Sequence, residues 1–104
     1  MPSRREKLEA MLEGSPADQM LRYMLAMELD KEGLAEQSLQ NFGMLMQDSK
    51  PYVPAFLMAG QLLTRLGRTN EAKDIYQRGI TQAQLQENGH AAGEMAGFLA
   101  SLDA

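Results

Sequence analysis

The sequence predicts an all-α fold built from paired helices, and three observations carry that expectation. Apolar residues recur at three- and four-residue spacing along the chain, and no stretch reads as a strand. The helical runs are cut by Gly or Pro at Gly33, Pro51 and Gly67. Those cuts also repeat: Gly33 and Gly67 lie 34 residues apart, and the same shift carries Ala26 to Gly60, Leu29 to Leu63, Ser38 to Ala72 and Phe42 to Tyr76. A fixed period of that length in paired helices is the signature of a repeat architecture.

Taken in order, residues 3–13 form a short helix. Ser3 and Glu6 have the spacing of a capping box ahead of Leu8, Met11 and Leu12, and Gly14 is the stop. A helix of about ten residues is marginal alone, so its apolar stripe has to dock on something. Three places are open to it: the first hairpin as a cap, the groove of its own chain, or the groove of a neighbour.

The first hairpin spans 16–49. Ser15 is expected as N-cap with Pro16 at the first helical position and Asp18 in the first turn. Met20, Leu21, Met24, Leu25 and Leu29 then mark one helix up to Gly33, and Leu34, Leu39, Phe42, Leu45 and Met46 mark the next. Pro51 bars its continuation and restricts Lys50.

The second hairpin spans 52–87. Its first helix carries Phe56, Leu57, Ala59, Leu62, Leu63 and Leu66 and stops at Gly67. Its second, from about Asn70, carries Ala72, Ile75, Tyr76, Ile80 and Ala83 and is expected to end at Asn88 and Gly89. A last helix over 89–103 places Met95, Phe98, Leu99 and Leu102 on one face, as a cap on the second hairpin needs. Gly89, Gly93 and Gly97 recur on the other side. That row is either the bare side of a loosely formed solubilising helix or a surface for close helix contact.

The second hairpin resembles the tetratricopeptide repeat. Phe56, Ala59, Gly60 and Leu63 fall on the signature positions of that repeat's first helix, and Gly67, Ala72, Tyr76 and Gly79 on those of its turn and second helix. The first hairpin keeps Leu25, Ala26, Leu29, Gly33, Ser38 and Phe42 but has Arg22 for the leading aromatic, Leu45 for a small residue and Lys50 for the closing proline. The resemblance covers about two-thirds of the chain. It implies a right-handed superhelix forming one domain over 1–104, with the short helix and the capping helix closing its ends.

Composition narrows the function. The chain has 104 residues, 44% of them hydrophobic and 23% charged, enough for one domain with a modest core. Fourteen acidic against ten basic residues give a net charge of −4, with the basic residues dispersed, which argues against nucleic acid. No apolar run reaches the roughly 18 residues a membrane span needs, and the charged N-terminus is no signal peptide. A cytoplasmic protein is expected. Without Cys there is no thiolate metal site, and the single His90 has no placed partner among Ser38, Ser49 and Ser101. No catalytic, cofactor-binding or metal-binding residue is assigned, and the carboxylates Glu28, Asp30, Glu32 and Glu36 read as a solvated surface.

Binding of another protein or peptide remains. The resemblance implies that the first helix of each hairpin lines a concave groove. On that side lie Met20, Tyr23, Met27 and Asp30, then Leu57, Gln61 and Thr64, with Ala91, Met95 and Phe98 expected from the last helix. Some family members clamp the C-terminal carboxylate of a chaperone peptide with Lys, Arg and Asn. Tyr23, Met27 and Met58 stand here where such a clamp needs Lys or Asn, so an apolar segment is the expected ligand. The alternative is that the same apolar surface closes a homodimer. Nine Met residues fit both core filling and an adaptable binding surface.

Overall fold

The computed structural model describes residues 1–103. Among them are six helices and no strand: α1 (Arg4–Gly14), α2 (Gln19–Lys31), α3 (Ala35–Met46), α4 (Val53–Arg65), α5 (Thr69–Leu85) and α6 (Gly89–Leu102). The starts of α2 and α4, and those of α3 and α5, are each 34 residues apart. The sequence period is therefore a period of helices.

The turns inside the two hairpins repeat bond for bond. Gly33 N–H donates to the Asp30 carbonyl and Leu34 N–H to that of Leu29, while Gly67 N–H donates to Thr64 and Arg68 N–H to Leu63. Each pair closes a Schellman turn around a left-handed residue, Gly33 at φ 83° and Gly67 at φ 75°. The same two bonds recur at the end of α5, where Glu87 donates to Gln84 and Asn88 to Ala83. There the left-handed residue is Glu87, at φ 59°. The chain thus turns before Asn88 and Gly89, and Asn88 instead caps α6, its side chain accepting from Ala91 N–H.

A second correction concerns the start of α2. Its N-cap is Asp18, whose carboxylate accepts from Leu21 N–H, whereas Ser15 closes α1 with its N–H on Met11 and Leu12. Pro16 and Ala17 form the turn between them.

The core is one layered cluster in which Phe42, Leu45, Phe56, Leu62, Tyr76 and Met95 are fully buried. Small residues set the helix spacing. A Cβ on Gly60 would lie 2.6 Å from Cζ of Tyr76, and one on Gly79 would lie 2.6 Å from Cβ of Phe56. Ser38, also fully buried, donates its hydroxyl to the Ala26 carbonyl at 2.6 Å and so leaves no polar atom stranded.

Each helix packs on its neighbour in sequence, and α4 also touches α2 and α6, so α2, α4 and α6 share one side of the stack. The short helix α1 packs on α2 alone, burying Leu8, with Arg4 and Arg5 paired to Glu28 and Glu32. Of its three open placements it takes the first: it caps the first hairpin.

Candidate interaction surface

On α2, Met20 and Met27 stand two turns apart and are 62% and 38% exposed. Between them Tyr23 turns inward. Its ring packs 5.9 Å from that of Phe42 and 5.4 Å from that of Tyr52, and burial beside Tyr52 pushes its hydroxyl pKa up. Tyr23 is therefore a wall of the core with one edge showing. On α4, Leu57 is half-buried against that core, while Gln61 and Thr64 face outward.

Four of the expected residues, Met27, Asp30, Gln61 and Thr64, fall into two depressions, and Met20, Tyr23 and Leu57 line neither. Met27 and Asp30 share one of about 520 Å³ with Arg4, Met24, Glu28 and Lys31. Gln61 and Thr64 share another, of about 320 Å³, with Arg65, Tyr76, Phe98, Ser101 and Leu102. The two are linked by an ion pair, since Arg65 Nη2 donates to Asp30 Oδ2 at 2.6 Å. Thr64 spends its hydroxyl proton on the Gly60 carbonyl at 2.8 Å, which leaves its oxygen as an acceptor.

Met95 does not belong to this surface. It is 0% exposed, because the missing side chain of Gly79 leaves a space that its thioether fills. The residue that α6 does present is Phe98, stacked on Tyr76 at 5.9 Å and 12° and still 40% exposed. Phe98 is thus where the sequence places it, whereas Arg65 and Leu102 also line the depression without having been singled out, Leu102 through the packing of α6 on α4 and α5.

A further groove, of about 530 Å³, runs between α3 and α5 over part of α4. Leu39, Gly43 and Met46 of α3, Ala59 and Leu63 of α4 and Ile75 of α5 make its apolar surface, and Arg68, Glu71, Asp74 and Arg78 edge it. Arg68 holds Glu36 and Glu71 together and Arg78 faces Asp74, so these edge charges are largely neutralised in pairs. No single-helix pattern announces such a groove. Its lining comes from three helices.

His90 lies exposed at the start of α6 with Nε2 3.3 Å from Glu94. Among the described residues no group of three or more His, Cys, Asp or Glu is placed to hold a metal ion, and no helix is long and apolar enough to cross a membrane.

Comparison with known proteins places the fold. No family model matches the chain, and no curated protein matches it. Solved structures do. A solution structure of a tetratricopeptide repeat domain protein from Salinibacter ruber is 31% identical at a TM-score of 0.78, over 84% of this chain and 88% of that one. A crystal structure of a tetratricopeptide repeat domain protein from the same organism is 30% identical at a TM-score of 0.75, over 84% and 98%. A protein from Bordetella parapertussis shares the fold over 99% of this chain and 90% of its own, at 23% identity and a TM-score of 0.82. The chain belongs to the tetratricopeptide repeat family. That makes it, in general terms, a protein-interaction module.

Proposed function

We propose that the chain is a non-catalytic adaptor that holds an apolar, helical segment of another protein against the side shared by α2, α4 and α6. One observation carries the reading: Met27 of α2, Gln61 and Thr64 of α4 and Phe98 of α6 line two depressions joined by the Asp30–Arg65 pair. Met20 extends the apolar part along α2. Exposed thioethers are flexible and polarisable, which suits a surface that receives apolar side chains of varied shape. The ligand's anchors on this reading are aliphatic or aromatic.

A displayed library of amphipathic helical peptides, panned against the intact chain, tests this. Peptides held by the wild type and lost by Met20→Glu with Met27→Glu, while the circular dichroism spectrum is unchanged, support the adaptor. Peptides held equally by both would move the site elsewhere. Capture of none, together with a dimer in sedimentation velocity, would assign the surface to self-association instead.

A further inference from the structure

We propose that the thioethers of Met20 and Met27 form an oxidation switch: a peroxide converts them to sulfoxides, and the side shared by α2, α4 and α6 then turns polar and releases its apolar ligand. The switch rests on the adaptor reading and adds regulation to it.

Exposure divides the methionines. Met20 and Met27 are open to solvent, whereas Met46 and Met95 are buried, Met95 in the slot over Gly79. Sulfur oxidation follows accessibility, so a peroxide reaches the surface pair first and leaves the core thioethers intact. Met11 and Met44 are exposed as well, but they belong to α1 and α3, and neither lines the depression that holds Met27.

The surroundings of Met27 favour the oxidised side chain. Arg4 and Lys31 line the same depression. Arg4 spends Nε on Glu28 at 3.3 Å, and among the described residues Lys31 is in no ion pair. Lys31 lies four residues after Met27, so the two side chains are neighbours on one face of α2. A thioether sulfur is only a weak acceptor and makes little use of these cations. A sulfoxide oxygen is a strong one, with the Lys31 ammonium one helical turn away. An apolar anchor seated against the oxidised side chain would have to bury that oxygen without a partner.

The chemistry closes with hydrogen peroxide alone. The sulfur lone pair attacks one peroxide oxygen, the O–O bond breaks and the S–O bond forms. The sulfur is oxidised by two electrons and the peroxide is reduced, its other oxygen leaving as water with both protons. A methionine sulfoxide reductase reverses the step.

Mild hydrogen peroxide on the intact chain, mapped by mass spectrometry, should oxidise Met20 and Met27 roughly tenfold or more faster than Met46 and Met95, with the circular dichroism spectrum unchanged. An amphipathic helical peptide without Met, selected on the reduced chain, should then bind roughly tenfold more weakly, and sulfoxide reductase should restore it. The variant Met20→Leu with Met27→Leu, whatever affinity it starts from, should keep that affinity through the same treatment. In the wild type the Lys31 side-chain NMR signals should shift on oxidation. If the oxidised wild type holds the peptide as before, or the Leu variant weakens as much as the wild type, the switch is wrong and the adaptor reading stands. The switch is equally wrong if Met46 and Met95 oxidise as fast as the surface pair or the helical spectrum is lost. A reduced chain that captures no such peptide overturns the adaptor reading and the switch together.

Discussion

Gly60 and Tyr76 lie so close that the face of α4 at Gly60 rests against the Tyr76 ring; a methyl there would stand 2.6 Å from Cζ and 2.8 Å from Cδ1. Both residues are buried, and the ring is stacked on that of Phe98. The contact sets the spacing within the second hairpin, and with it the positions of Gln61 and Thr64 on the neighbouring turn of α4.

Gly60→Ala is therefore expected to destabilise the chain although Ala is the better helix former. Overpacking costs about 1–3 kcal/mol, against a propensity gain of up to ~1 kcal/mol, for a net loss of up to about 2 kcal/mol. The denaturant midpoint reports it. Adding Tyr76→Leu to Gly60→Ala should recover part of the loss relative to the sum of the single variants, because the two residues share one space.

Glu87 is the one non-glycine residue with positive φ among those described. Replacing it with Gly relieves the left-handed strain and should stabilise the chain by about 1 kcal/mol. Thermal or chemical unfolding measures the gain. The counterpart changes Gly33→Ala and Gly67→Ala should cost a similar amount, since those turns place Ala where φ is 83° and 75°.

Acid should weaken the first hairpin through Asp48. Its carboxylate accepts from Arg22 Nη1 at 2.7 Å and from Gln19 Nε2 at 2.9 Å, and the Arg22 and Gln19 hydrogen bonds hold its pKa below the usual carboxylate value. The folded state thus prefers the ionised form, so this contribution is present above the unfolded Asp pKa of about 4 and is lost as pH falls through the lower folded value. Asp48→Asn should lower stability at neutral pH and flatten its decline below about pH 4. Denaturation midpoints measured across that range for both proteins check the slope.

Much of the fold was legible because the repeat leaves local marks. Gly33 and Gly67 each end a helix by adopting a conformation other residues resist, and Phe42 and Tyr76 recur where the paired helices need a large side chain. Ser15 misled because Ser-Pro is a common helix opening; here the segment is a tight turn and Asp18 caps instead. The candidate surface was less legible. Met95 and Phe98 fall on the same apolar face of α6, and periodicity alone does not say which of them goes under. That depends on Gly79, sixteen residues earlier, whose lack of a side chain opens a slot for one thioether. The groove between α3 and α5 likewise depends on the spacing of helices that are distant in sequence.

The adaptor reading is tested most directly by NMR of the chain labelled at its methionine methyls, titrated with an apolar helical peptide selected for capture. Met20 and Met27 report the side shared by α2, α4 and α6, and Met44 and Met46 report α3. The reading predicts that the Met20 and Met27 methyls shift on binding while those of Met44 and Met46 stay in place. Shifts at Met44 and Met46 with Met20 and Met27 unmoved would contradict it and place the ligand on α3.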